Sequence, residues 1–401
     1  MNKKTIRDLP DAAVRGRPVL VRLDYNVPIE AGRVVDDTRI VATLPTLRWL
    51  LERKARMILV SHLGRPKGKP EPSFSLAPVA VRLSELLGAP VRFVASVSGA
   101  DVVAAIDTMT DGQVLMLENL RFDPDEEAND ERLARLLAGL ADVYVNDAFG
   151  TAHRAHASTE GAPAVMKAAG KPAVAGFLIE KELAFLGRAL EAPRRPFIAI
   201  LGGAKISGKI DVIQALLPRV DALLIGGAMA NTFFRALGLE TGASLVEDER
   251  VDMARVLLEN AGAKLVLPVD CVVAEEPVAT ARVAVVGRAD VPARSRILDI
   301  GPASVLLFCR QLEAAQTILW NGPLGLFELE PFAAGTRGIA ACVTAATGRG
   351  ATTVAGGGDT AAALEQSGVA RGMTHVSTGG GASLEFLEGR SLPGIAILDD
   401  A

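Results

Sequence analysis

Arginine and histidine recur just after short apolar runs in the first 170 residues. Asp24-Tyr25-Asn26-Val27-Pro28 follows the run Pro18–Leu23, and His62-Leu63-Gly64-Arg65-Pro66 follows Met57–Ser61. Asn119-Leu120-Arg121-Phe122 follows Gln113–Glu118, and Asp147 to His156, with His153 and Arg154, follows Val143–Asn146. Arg22 lies within the first run, and Arg39 comes just after Asp36-Asp37-Thr38, where a helix can start. Guanidinium groups bind phosphate and carboxylate through paired hydrogen bonds, so several at matching loop positions suit a small polyanion. Asp24 and Asn26 add a carboxylate and an amide able to hydrogen-bond a hydroxylated ligand. The competing reading is ordinary: surface arginines paired with nearby acids, and Asx turns at strand ends.

The second half carries glycine-rich loops in the same kind of place. Gly202-Gly203-Ala204-Lys205-Ile206-Ser207-Gly208-Lys209-Ile210 follows Phe197–Leu201. Gly203 to Lys209 fits G-x-x-x-x-G-K, but Ile210 stands where a P-loop needs Ser or Thr for Mg²⁺, so this is not a Walker A motif. What remains is glycine-rich backbone and two lysines, suited to phosphate. Gly356-Gly357-Gly358-Asp359-Thr360-Ala361 loosely fits a dinucleotide fingerprint. The acidic residue that a dinucleotide ribose would require near position 377 is missing. Asp359 and Thr360 begin a helix, where free N–H groups attract phosphate and a carboxylate can reach Mg²⁺. Thr378-Gly379-Gly380-Gly381 opens another helix, and Trp320-Asn321-Gly322-Pro323 leads to Glu328, a candidate acceptor for ribose hydroxyls.

Holding these loops requires a scaffold of alternating elements. Further strand-like runs are Val91–Val94, Ala222–Ile225, Lys264–Pro268, Thr317–Trp320, Ala351–Ala355 and Thr374–Ser377. Each is short, apolar and bounded by turn formers, as in strands buried on both faces. Helical patterns lie between them: Asp37–Glu52, Leu76–Leu87, Glu131–Leu140, Asp211–Leu217, Asp248–Gly262, Ala303–Glu313 and Phe332–Thr347. The alternation predicts an α/β chain with two doubly wound parallel sheets, joined by a helix over Phe177–Leu190. Ligands of such sheets bind beyond the carboxyl ends of the strands, so two domains would face a cleft with one ligand on each side.

Composition narrows the classes. The 401 residues are 49% hydrophobic and 22% charged, with a formal net charge of −4. This is a globular composition with material for more than one core. The slight acidity argues against general nucleic-acid binding. Neither a signal-peptide pattern nor a long apolar run is found, which points to the cytoplasm and away from membranes. Cys271, Cys309 and Cys342 are widely spaced and odd in number, and are expected to be reduced core thiols.

Taken together, the motifs resemble the phosphoglycerate kinase family. The matching stretches are VRLDYNVP (21–28), DDTRI (36–40), SHLGRP (61–66), LENLRFDPDEEAND (117–130) and VNDAFGTAHRAHAST (145–159). The second half adds LGGAKISGKI (201–210), LIGGAMANTF (224–233), LDIGP (298–302), WNGPLGLFE (320–328), AGGGDT (355–360) and STGGGASLEFLEG (377–389). They occur in the family's order along nearly the whole chain. Tyr25 stands where the family commonly has Phe, and Ser207-Gly208 where many members carry a charge.

The resemblance implies a division into residues 1–176 for 3-phosphoglycerate, a connecting helix over 177–192, residues 193–388 for nucleotide, and a return of 389–401 to the first domain. It implies that Asp24, Tyr25, Asn26, Arg39, His62, Leu63, Gly64, Arg65, Arg121, His153 and Arg154 bind 3-phosphoglycerate or 1,3-bisphosphoglycerate, with Arg22 as an outer member. Lys205, Lys209, Asn321, Pro323, Glu328, Gly357, Gly358, Asp359 and Thr360 would bind ATP or ADP, with Asp359 on Mg²⁺. Arg39, Lys209, Gly380 and Gly381 would act in phosphoryl transfer. Hinge-bending closure and a monomer with no nucleic-acid or membrane partner complete the expectation. The residues by themselves leave open a kinase for another small carboxylate, or a nucleotide-binding protein without turnover.

Overall fold

The computed structural model describes Asn2–Ala401, apart from the side chain of Arg188. The chain forms two compact units: residues up to Ala184 together with Ser391–Ala401, and Phe185–Arg390. The division falls inside the helix Phe177–Glu191.

In the first unit, β1 (Pro18–Leu23) is followed by a hairpin of β2 (Ile29–Glu30) and β3 (Arg33–Val34). The main sheet adds β4 (Arg56–Val60), β5 (Val91–Val94), β6 (Val114–Leu117), β7 (Val143–Asp147) and β8 (Ala173–Ala175). All six strands are parallel, in the order β5-β6-β4-β1-β7-β8. Strands β6 and β7 are buried at every position, as layers of helix on both faces require. The helices Thr38–Glu52 and Ala77–Leu87 pack Ile40, Leu44, Leu47, Val79 and Leu83 against the sheet core. Gly88, at φ 71°, ends the second of these in the left-handed turn that favours glycine. The last residues are sewn to this unit: Asn146 Nδ2 donates to the Gly394 carbonyl at 2.7 Å, and Lys4 N to that of Asp399 at 2.8 Å.

The second unit repeats the plan with β9 (Phe197–Leu201), β10 (Ala222–Ile225) and β11 (Leu265–Val266). A small antiparallel sheet follows, of β12 (Asp270–Ala274), β13 (Ala284–Gly287) and β14 (Arg296–Ile300). The main sheet is completed by β15 (Thr317–Asn321), β16 (Thr352–Gly356) and β17 (His375–Val376), in the parallel order β11-β10-β9-β15-β16-β17. Among the described residues no helix is long and apolar enough to cross a membrane.

One expectation is corrected. Cys309 and Cys342 are not reduced thiols: they form a disulfide between the helices Pro302–Glu313 and Ala334–Gly348, with Cα atoms 5.7 Å apart. Cys271 alone is free and buried, its thiol pushed up to about 12 mainly by burial. A bridge across 33 residues stabilises by roughly 3–4 kcal/mol in the chain-entropy view. Reduction should therefore lower the thermal midpoint measurably, and the Cys309→Ser/Cys342→Ser variant should reproduce the drop and lose the dependence on reductant. A midpoint indifferent to reduction would contradict this.

Candidate functional site

In the first unit the candidate residues collect at the carboxyl ends of four adjacent strands, β6, β4, β1 and β7. Asp24, buried just beyond β1, receives Arg39 Nη1 on Oδ2 at 2.8 Å and the Asn26 N–H on Oδ1 at 3.2 Å. Asn26 Oδ1 in turn accepts from Gly64 N at 2.9 Å, tying the loop after β1 to the loop after β4. Arg121 Nη1 donates to the Gly64 carbonyl at 2.8 Å, and its Nε lies 3.2 Å from Glu127. Arg65 and Arg154 are exposed, Arg39 and His153 half-buried, and Arg22 fully buried. The loops thus present guanidinium groups of graded exposure at one end of the sheet, with Arg39 paired to Asp24 and Arg121 to Glu127, an arrangement suited to an acidic ligand with hydroxyl groups.

Two expected members act otherwise. The Tyr25 side chain turns into the core, where its hydroxyl lies 2.8 Å from Thr43 Oγ1, so only its backbone borders the loop. Leu63 is buried as well. Its N–H and carbonyl are both held by Asn119, whose Oδ1 accepts at 3.2 Å and whose Nδ2 donates at 2.7 Å. Asn119 also donates to the Phe74 carbonyl and accepts from Arg121 N, which makes it the clamp for three loops. Nothing in the sequence marks that role except its place at a strand end.

The concentration of cations has a titration consequence. Burial, then the charges of Arg22, Arg121 and Arg39 and the nearby His156, hold His62 well below the ordinary histidine value. His156 is pushed down to about 3, again by burial first and then by Arg22, Arg121, Arg154 and His153. Both rings are neutral at pH 7 in the folded protein. Between pH 6.5 and the lowered values the unfolded chain binds more protons, so stability falls as pH falls. For His156 the loss between about pH 6.5 and 4 is on the order of 3 kcal/mol. Urea unfolding across that range should show the decline, with a shallower slope for His156→Gln; equal slopes would contradict the assignment.

In the second unit the loops after β9, β10, β15, β16 and β17 lie side by side. Lys209, at the start of the helix Ile210–Leu216, folds its ammonium onto three oxygens: the Gly202 carbonyl at 2.6 Å, the Asn321 carbonyl at 2.8 Å and Asn321 Oδ1 at 2.7 Å. Burial lowers Lys209 to about 7, opposed by the charge of Asp359. Gly322, at φ 94°, allows this approach, since a Cβ there would lie 2.3 Å from the Gly202 oxygen and 2.5 Å from Lys209 Nζ. Asn321 Nδ2 donates to the Gly356 carbonyl at 3.0 Å. Gly322 N donates to Thr360 Oγ1 at 2.7 Å, and that hydroxyl donates to the Gly356 carbonyl at 2.7 Å. Asn321 and Thr360 therefore lock β15 to β16, and the Pro323 carbonyl takes the Gly203 N–H at 2.8 Å. These three serve as scaffold in this arrangement. Gly358 and Asp359 are exposed in the first turn of the helix Gly358–Gln366, beside half-buried Gly357. Lys205 and Glu328 are exposed too, and Gly380 precedes the helix Gly381–Leu387 at φ 52°.

Two buried acids were not foreseen. Asp147, at the end of β7, accepts from Leu178 N at 2.8 Å and Ile179 N at 3.3 Å, capping the helix Phe177–Glu191. Asp299 accepts from Gly335 N at 2.6 Å and so holds the start of the helix Ala334–Gly348. Burial pushes each up to about 7.

The family model for phosphoglycerate kinase matches residues 9–390. The phosphoglycerate kinase of Chloroflexus aggregans is 57% identical over 407 residues, and that of Chlorobium phaeovibrioides 54% over 404, with all of both chains covered in each case. Among solved structures, phosphoglycerate kinase from Coxiella burnetii superposes with a TM-score of 0.87 at 42% identity. That from Pyrococcus horikoshii gives 0.87 at 32%, and both cover 98% of each chain.

Proposed function

The chain belongs to the phosphoglycerate kinase family and is a phosphotransferase with a carboxyl acceptor; from that premise we propose that it moves a phosphoryl group reversibly between 1,3-bisphosphoglycerate and ADP, with Mg²⁺. The observation that carries the reading is the pairing of two unlike loop sets. One parallel sheet ends in loops that carry several arginines, one of them paired with Asp24, and the other ends in glycine-rich turns around a lysine folded onto the Gly202 and Asn321 oxygens.

On this reading Asp24, Asn26, His62, Arg65, Arg121 and Arg154 hold 3-phosphoglycerate, with Arg22 and His153 outside them. Lys205, Glu328 and Gly357 to Asp359 hold the nucleotide, with Asn321, Pro323 and Thr360 as the scaffold beneath them. In the direction of ATP use, a carboxylate oxygen of 3-phosphoglycerate bonds to the γ-phosphorus as the bond to the β-bridging oxygen breaks, leaving ADP. A carboxylate is nucleophile in one direction and leaving group in the other, so no general base is needed. The transferring group spreads its charge over three oxygens, so positioning and electrostatics dominate. Arg39 and Lys209 supply the positive charge, and backbone N–H groups at Gly379–Gly381 contact the equatorial oxygens.

The chain's residues fit a metal that arrives with the nucleotide. Among the described residues there is no group of three or more His, Cys, Asp or Glu able to hold a metal ion. Mg²⁺ is commonly held by one or two carboxylates together with substrate phosphates, and Asp359 offers one exposed carboxylate at a helix start. Bound there, the ion draws charge from the phosphate oxygens. The acyl phosphate must be kept from water, so the reading includes closure of one domain on the other. It also includes a monomeric cytoplasmic enzyme of glycolysis.

Calorimetric titration tests the two-ligand assignment. 3-Phosphoglycerate and Mg-ADP should each bind once, independently of the order of addition, and scattering should show compaction only with both present. Competition of the two ligands for one site would contradict it.

A further inference from the structure

Beneath the arginine loops lies a chain of buried polar groups that ends on His62, and its inner members, Glu126 and Ser158, have no part in the proposed reaction. Arg22, fully buried in β1, donates from Nε to Ser158 Oγ at 2.8 Å and from Nη1 to the Leu23 carbonyl. Its Nη2 lies 3.4 Å from His62 Nδ1. Glu126, also fully buried, accepts Ser158 N on one oxygen at 2.9 Å and Ser158 Oγ on the other at 2.6 Å.

The directions of these bonds are fixed by chemistry. A guanidinium only donates, so Ser158 Oγ must accept from Arg22; its single proton goes to Glu126, whose carboxylate form burial disfavours but the Arg22 charge and the two Ser158 bonds favour. For the same reason His62 Nδ1 must accept from Arg22, which leaves the ring neutral with its proton on Nε2. Asp24 Oδ1, the acidic oxygen facing Nδ1, is 3.9 Å away, beyond hydrogen-bond reach, and already receives Asn26 N. Arg121, Arg39 and His156 also act on His62, and each opposes its protonation.

We propose that Glu126 is a positioning residue: acting through Ser158 and Arg22, it fixes His62 as the neutral tautomer whose one ring donor is Nε2–H. The acidic substrate then meets a histidine that can give a hydrogen bond but not demand a proton. The consequence for KM rests on the reading that His62 contacts 3-phosphoglycerate; the tautomer itself does not.

Nitrogen NMR of histidine-labelled protein, with His62 assigned by its loss in His62→Asn, reads the tautomer directly. The parent should show the Nε2–H form. Glu126→Gln turns the acceptor facing Ser158 into a donor, and Ser158→Ala cuts the chain in the middle; the second carries the test if the first does not fold. Either should mix the tautomers and raise the KM for 3-phosphoglycerate by about tenfold, as expected when a buried charge loses its partner, with kcat and the KM for Mg-ATP unmoved. A parent His62 that is charged or protonated on Nδ1, or a tautomer and KM unchanged in both variants, would overturn the proposal. If the tautomer shifts but no form of the protein turns over 3-phosphoglycerate, the positioning role stands and the substrate assignment fails.

Discussion

Arg39→Ala should turn over on the order of 10²–10³ times more slowly than the parent, the usual cost of deleting one group that meets charge developing in a transition state. Arg39 stands in the first turn of the helix Thr38–Glu52. Its side chain is 32% exposed, and Nη1 is the atom bonded to Asp24. That single ion pair orients the planar group and leaves the other donors of the fork for a ligand. The pair is part-buried, but Asp24 keeps the Asn26 N–H when Arg39 is lost, so the loss should fall mainly on kcat and much less on folding. Arg39→Lys should recover little, because a point charge cannot reproduce the fork held by Asp24. Steady-state kinetics with unchanged thermal midpoints would show this pattern. Turnover within a few-fold of the parent would remove Arg39 from the chemistry.

A comparable loss, again on the order of 10²–10³ in kcat, is expected for Lys209→Met. Lys209 differs from Arg39 in its starting state. Its ammonium is turned onto the Gly202 and Asn321 oxygens, and burial lowers it to about 7. To reach a phosphoryl group it must exchange those oxygens for phosphate oxygens, and the new negative charge raises its proton affinity. Nucleotide binding should therefore take up close to one proton at about pH 8, where the free side chain is largely neutral. Calorimetry of Mg-ATP binding in buffers of different ionisation enthalpy measures that uptake. Lys209→Met should abolish it while 3-phosphoglycerate still binds. Full turnover in the variant, or no proton uptake in the parent, would contradict the role.

The strands were legible because parallel strands covered on both faces are continuous apolar runs. The six-strand sheet of the second unit was read strand by strand from such runs, with ends shifted by a residue or two. β8 was not, since Ala173–Ala175 is only three residues long. The antiparallel sheet β12-β13-β14 escaped for a different reason: apolar runs mark Cys271–Ala274 and Val283–Val286, but no helical pattern separates these strands, so the strand–helix alternation that picked out the parallel sheets does not include them. The site loops were legible because ligands gather beyond strand carboxyl ends, a rule that needs only local sequence. What the side chains do there was not. Lys209 bonds to a residue 112 positions away, Arg22 to one 136 away, and Asn119 to one 56 away. Such contacts exist only once the strands are ordered in the sheet. The disulfide escaped for the same reason: helical periodicity marks an inward face but does not say which helix will pack against it.

The most direct test of the central claim is a coupled assay with Mg-ATP and 3-phosphoglycerate, repeated without Mg²⁺ and with acetate as acceptor. Turnover is expected only when 3-phosphoglycerate and the metal are both present. Absence of turnover in folded protein that still binds ATP, or equal turnover with acetate, would contradict it.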